Sequence, residues 1–235
     1  LTSNAASDSR PRFGPDGRTL AFLSTRDGSS QVWALDLAGG EARKLTSLST
    51  GVDAFEWLGA KRLALVSEVF PDCAADDACN AKKLGETGKP STARVYDELL
   101  YRHWDAWDDS RRSHVLSLAL EGGALVDLTP GGDDAPPFNL GGEDWGVAPD
   151  GSELCVAKKD AKGEAWHTNA ELYLIPAAGG PAKRVSDSPG YDSGCRYSPD
   201  GRFLAWRTQL RAGYEADPWR LVVYDRARGE KRTLT

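Results

Sequence analysis

Residues 196–208, RYSPDGRFLAWRT, hold the phrase on which the fold turns. An aromatic residue leads into a Pro-Asp-Gly triplet, and an alternating apolar run follows. Proline presets φ for the second position of a tight turn, aspartate bonds the neighbouring backbone, and glycine supplies the left-handed conformation. The strand leaving such a turn alternates inward and outward side chains with period two. The phrase recurs as RFGPDGRTLAFLS at 12–24 and GVAPDGSELCVAK at 146–158. A weaker copy, FEWLGAKRLALVS at 55–67, has Gly59-Ala60 in place of Asp-Gly.

Each copy is followed by a second hairpin. Residues 31–46, QVWALDLAGGEARKLT, read as strand, Gly-Gly turn, strand, and the pattern returns at 114–129, 171–186 and 220–235. The unit is therefore four short strands, the last ending in Leu-Thr or Val-Ser. The Pro-Asp-Gly turns beginning at Pro149 and Pro199 lie 50 residues apart, a period that with four strands per unit marks propeller blades. The fold class is all-β: a partial β-propeller of four four-stranded blades, near 8–47, 51–130, 143–187 and 194–235. A β-sandwich with evenly spaced strands is the alternative, but whole four-strand phrases repeat here, not single strands.

Composition narrows the function. The 235 residues are 40% hydrophobic, with Gly 25 and Pro 13, enough apolar material for a core in a turn-rich chain. A net charge of −6 offers no basic stripe for a phosphate backbone, so no nucleic acid partner is expected. No apolar run approaches the roughly 18 residues that span a bilayer. Methionine is absent, and both ends fall at unit boundaries. The expectation is a fragment, an arc of a larger ring of about seven or eight blades. An arc leaves two blade faces uncovered, so pairing of edges between copies, a homo-oligomer, is a further expectation.

Cys73 and Cys79 flank the acidic stretch DCAADDACN, with no histidine or further thiol nearby. Zinc sites favour closer Cys-Cys spacing and a second ligand pair. A disulfide is the better reading, with free surface thiols as the alternative, and it places the protein in an oxidising compartment, periplasmic or secreted. Whether Cys155 and Cys195 pair stays open. No metal constellation or phosphate-cradling glycine loop stands out, and no cofactor is expected.

About 45 residues, 69–112, separate the second and third strands of the second blade. This insertion contains YDELLYRHWDAW at 96–107. Pro90 with Ser91 or Thr92 makes a helix start. Val95, Tyr96, Leu99, Leu100, His103 and Trp107 then fall on one side at helical spacing, which predicts a helix over 93–107. Glu98 and Arg102 stand in the favourable i,i+4 order, and Asp108, Asp109 and Ser110 end the helix in a polar turn. Loop insertions projecting from a rigid scaffold commonly carry binding groups. Carboxylates there suit a ligand's ammonium, and Arg102 a carbonyl or carboxylate. Trp166 and the loop 209–218, with Tyr214, Glu215 and Asp217, are further candidates for an entry face.

The Pro-Asp-Gly blades, the insertion beginning VFPDCAADDACN, and above all VYDELLYRHWDAW followed by RRSHVLSL resemble the propeller of the prolyl oligopeptidase family of serine peptidases. The likeness covers the whole chain and is strongest to bacterial dipeptidyl peptidases of the dipeptidyl-peptidase V type, with acylaminoacyl peptidases as near relatives. It implies a two-domain exopeptidase in which an N-terminal propeller caps a C-terminal α/β-hydrolase domain and restricts entry to short peptides. That catalytic domain is absent here, and no Gly-x-Ser-x-Gly elbow occurs, so no catalytic residue is assigned. In dipeptide-releasing relatives propeller carboxylates hold the substrate's α-amino group, in one branch through paired glutamates. Asp97-Glu98 is the nearest analogue. By this resemblance Asp97, Glu98, Arg102, His103, Trp104, Asp105 and Trp107 bind or support a peptide substrate and contact the hydrolase domain. The rival is a TolB-like propeller that binds without a hydrolase partner.

Overall fold

The computed structural model describes residues 2–86, 93–97, 99–103, 105–138 and 144–235, and its strands gather into four antiparallel four-stranded sheets. The first holds β1 (Asp8–Phe13), β2 (Thr19–Ser24), β3 (Gln31–Asp36) and β4 (Arg43–Lys44). The second holds β5 (Ala54–Leu58), β6 (Arg62–Val69), β9 (Arg112–Ala119) and β10 (Leu125–Asp127). The third is β11 (Trp145–Val147), β12 (Glu153–Lys158), β13 (Glu171–Pro176) and β14 (Lys183–Arg184). The fourth is β15 (Asp192–Tyr197), β16 (Phe203–Thr208), β17 (Arg220–Asp225) and β18 (Glu230–Thr233). Strands neighbour one another in chain order within every sheet, the up-and-down order of a propeller blade, and the chain is a partial all-β propeller.

The repeated phrases have a physical reading in the sheets. Gly17, Gly151 and Gly201 of the Pro-Asp-Gly turns all have φ between 64° and 70°, where a side chain would be strained. Asp16 accepts from Thr19 N–H (2.8 Å), the Thr19 hydroxyl (2.7 Å) and Arg18 N–H (2.9 Å), and these bonds hold its carboxyl pKa down at about 2. The closing Leu-Thr or Val-Ser is equally specific. In each sheet its hydroxyl accepts from a backbone N–H of the third strand. The pairs are Thr46 with Val32 (2.9 Å), Thr129 with Val115 (2.9 Å), Ser186 with Leu172 (2.8 Å) and Thr235 with Leu221 (2.9 Å). The hydroxyl thus extends the ladder beyond the short fourth strand. Thr46 also donates to the buried Gln31 Oε1 at 2.7 Å. Thr46→Val preserves shape but orphans Val32 N–H, at an expected cost of about 1–3 kcal/mol in urea unfolding. A cost near zero would show that the hydroxyl does not hold the blade end.

The chain divides into two units, Leu1–Ser91 with His114–Pro130, and Thr92–Ser113 with Gly131–Thr235. The core of the first contains Ala21, Leu23, Val32, Phe55, Leu63, Leu65 and Leu116. That of the second contains Cys155, Leu172, Cys195, Leu204, Trp206 and Tyr224.

The insertion carries a helix, but not where hydrophobic periodicity puts it. The α-helix α1 is Asp77–Glu86. Asp76 caps it, its Oδ1 accepting from Cys79 N–H at 3.1 Å. Buried Asn80 accepts from Phe70 N–H and donates to the carbonyls of Ala74 and Asp76, all at 3.0 Å. A Cys73–Cys79 disulfide closes the loop before the helix. The expected helix over 93–107 is not formed: the described part runs irregularly into a hairpin of β7 (Arg102–His103) and β8 (Ala106–Trp107). Tyrosine, tryptophan, histidine and aspartate are weak helix formers, and aromatics favour extended backbone. Here Tyr96, Tyr101 and Trp107 pack on one another, with ring centroids 5.9–6.2 Å apart. The predicted helix start at Pro90, Ser91 and Thr92, and Glu98 of the i,i+4 pair, lie outside the described residues.

Candidate binding cleft

The connection between second and third strands is six residues long in the first sheet, twelve in the third and eleven in the fourth. The two long ones, 159–170 and 209–219, wall a cleft of about 850 Å³ in the second unit, with Leu100, Arg102, His103, Phe138, Tyr191 and Arg207 completing it. That volume falls within the range of small-ligand sites, about 300–1,000 Å³.

One wall is built on Tyr191, just before β15. Its hydroxyl donates to Asp144 Oδ2 at 2.9 Å, while Gly194 N–H donates to Asp144 Oδ1 at 3.0 Å. Burial, then the adjacent Asp144 carboxylate, push the tyrosine hydroxyl far above its ordinary value, so it stays protonated and donating. The Trp219 ring meets Tyr191 edge-on, with centroids 6.0 Å apart, and the Arg207 guanidinium lies 4.9 Å from the centroid of Trp219. The loop beside them is pinned from within. Buried Gln209 donates to the carbonyls of Glu215 and Asp217, both at 2.8 Å. Asp217 in turn accepts from the N–H groups of Leu210 and Arg211, bonds that lower its carboxyl below the usual value.

The other wall is polar at its base and aromatic at its rim. Glu164 lies 3.1 Å from Lys159 Nζ and 3.9 Å from His103 Nδ1. The His103 ring sits 4.7 Å from that of Phe138. His167 Nδ1 accepts from Asn169 N–H at 3.2 Å. Trp166 stands 81% exposed at the mouth.

Of the residues singled out in the sequence, Arg102, His103, Trp166 and Glu215 line this cleft. Asp97 and Asp105 are exposed and not among its lining residues, and Trp107 is stacked against Tyr96. Glu98 and Trp104 lie outside the described residues. Tyr191, Arg207, Trp219, Lys159 and Glu164 were missed. The one signal that could have found them is the unequal length of equivalent connections. Cys155 on β12 and Cys195 on β15 form a second disulfide, a pairing left open by the sequence. Among the described residues no group of three or more His, Cys, Asp or Glu is placed to hold a metal ion. Aromatic faces, two carboxylates and three cations suit this cleft to binding a short polar chain molecule.

The fold and cleft define a partial β-propeller with a ligand-sized site on its strand connections. Solved structures of similar fold are the acylaminoacyl peptidase of Pyrococcus horikoshii and TolB of Acinetobacter baumannii. The first has a TM-score of 0.64 and 17% identity, covering 96% of this chain and 32% of that one. The second has a TM-score of 0.57 and 14% identity, covering 100% and 45%. No family model matches the chain. In sequence the chain is similar to dipeptidyl-peptidases 5: 27% identical to that of Porphyromonas gingivalis over 98% of this chain, and 28% identical to that of Porphyromonas endodontalis over 95%. The chain spans about a third of the length of these curated relatives, 34% and 33%.

Proposed function

We propose that this chain is the part of a serine exopeptidase that lines and restricts the substrate cavity, the reaction being release of dipeptides, or acylated residues, from the amino end of short peptides. The observation that carries this reading is the similarity to dipeptidyl-peptidase 5 along 98% of the chain. It favours a peptidase propeller over a TolB-like binding protein, because the likeness to TolB is one of fold at 14% identity. Hydrolysis belongs in this reading to an α/β-hydrolase domain of the full-length protein, and the propeller supplies recognition. Aromatic walls accept the peptide's side chains. Glu164 is engaged by Lys159, so exposed Glu215 is the carboxylate offered to the substrate's α-ammonium. The Cys73–Cys79 and Cys155–Cys195 disulfides support an oxidising location, the periplasm or the cell exterior.

The test is kinetic. The full-length protein should release dipeptides from fluorogenic amides with a free amine, and a serine-directed inhibitor should block it. Glu215→Gln should raise KM about tenfold with kcat little changed, as loss of one charge-assisted contact predicts. Equal turnover of amine-blocked substrates would assign the acylated-residue reaction and remove Glu215 from the amine-binding role, and no serine-dependent hydrolysis would refute the reading.

A further inference from the structure

Arg207 is set up as a receptor. It lies near the end of β16 and faces the cleft. Trp219 covers its guanidinium at 4.9 Å, and Trp219 is itself braced by Tyr191. A Cβ on Gly194 would come within 3.3 Å of Arg207 Nε and 3.4 Å of Nη2, so the guanidinium also lies close against bare backbone. Gly194 has φ of 65° and a peptide N–H tied to buried Asp144, which fixes that surface. Ser193 Oγ accepts from Nη2 at 3.4 Å. No carboxylate among the described residues pairs with Arg207, whereas Lys159 across the cleft is matched by Glu164 at 3.1 Å. A flat guanidinium held by stacking, with its charge left for a visitor, suits an oxyanion with two acceptor oxygens.

We infer that Arg207, positioned by Trp219 and Gly194, binds a carboxylate of the peptide that occupies the cleft, and is thereby a specificity-determining residue. The inference rests on the peptide reading above and deepens it. Short peptides are zwitterions, and a site offering Glu215 at one place and Arg207 at another favours chains whose two charges can reach both. A carboxylate anchor thus selects for shortness chemically, beyond what the width of an opening does. The carboxylate has two sources, the peptide's C-terminus or an acidic side chain.

The experiment is equilibrium binding to the full-length protein, followed by the fluorescence of Trp166 and Trp219 at the cleft. The probes are glycyl-phenylalanine against its C-terminal amide, and glycyl-aspartate amide against glycyl-asparagine amide. At least one acid should bind about tenfold more tightly than its neutral counterpart. Preference in the first pair identifies the C-terminus, and preference in the second identifies a side chain. Arg207→Gln should abolish the preference, and Arg207→Lys, a point charge without the fork, should retain part of it. Equal binding within both pairs, or a preference that survives Arg207→Gln, overturns the inference. A full-length protein that releases no dipeptide but keeps an Arg207-dependent preference would defeat the proposed reaction and leave the carboxylate site standing.

Discussion

Replacing Cys155 and Cys195 together by alanine should lower the stability of the second unit by about 4 kcal/mol, roughly twice the loss from the Cys73, Cys79 pair. The difference follows from loop length. The Cys155–Cys195 bridge spans 40 residues and the Cys73–Cys79 bridge 6, and a cross-link limits the unfolded chain more when it closes a longer loop, giving about 4 against about 2 kcal/mol. Position acts in the same direction. Cys155 and Cys195 are wholly buried, on strands of the third and fourth sheets, in the cluster with Leu172, Leu204 and Trp206. Removing their sulfurs also leaves a small void. Cys79 is half-buried at the start of α1, so a mild reductant acting on the folded protein should open Cys73–Cys79 first. Urea unfolding followed through Trp206 fluorescence checks the ranking. A smaller loss from the 40-residue loop than from the 6-residue loop would contradict it.

What the sequence disclosed depended on whether structure was written in local pattern. The blades were legible because each turn demands one left-handed residue and each closing hydroxyl one defined partner, and Gly17 and Thr46 recur in kind along the chain. The insertion was misread because spacing of three and four also arises where aromatics cluster in a hairpin. Tyr96, Tyr101 and Trp107 satisfy one another's faces, and the apolar stripe needs no helix. Helix α1 shows the converse. Asn80 is its buried residue, so it has no apolar period to find, and its signs were the capping Asp76 and the run of alanine, lysine and leucine after it. The cleft was the least legible. Tyr191, Arg207 and Trp219 come from three connections and strand ends, and only the fold brings them together. Arg102 and His103 reached it, though from a short strand instead of the expected helix.

Two glycines beside this cleft should respond very unequally to the same added methyl group, although the collisions look alike. A Cβ on Gly190 would lie 2.4 Å from the backbone oxygen of Gln209 and 2.7 Å from its carbonyl carbon. That carbonyl cannot turn aside, because it accepts from Ser188 Oγ, and Gln209 N–H donates to Tyr191 O at 3.0 Å. Gln209 also anchors the 209–218 loop through its side chain. Gly190→Ala must therefore shift backbone on both sides, at an expected cost of about 3 kcal/mol, and displace Tyr191 and the loop that line the cleft. A Cβ on Gly163 would lie 2.1 Å from His167 Nε2 and 2.9 Å from Asp160 Oδ2. Both are ends of side chains that can rotate, so Gly163→Ala should cost under about 1 kcal/mol while moving His167 from its place in the wall. Thermal unfolding separates the two variants, and ligand titration shows which has changed the cleft without loosening the fold. If Gly190→Ala costs under about 1 kcal/mol, the Gln209 carbonyl is not held by its bonds in the way the geometry requires.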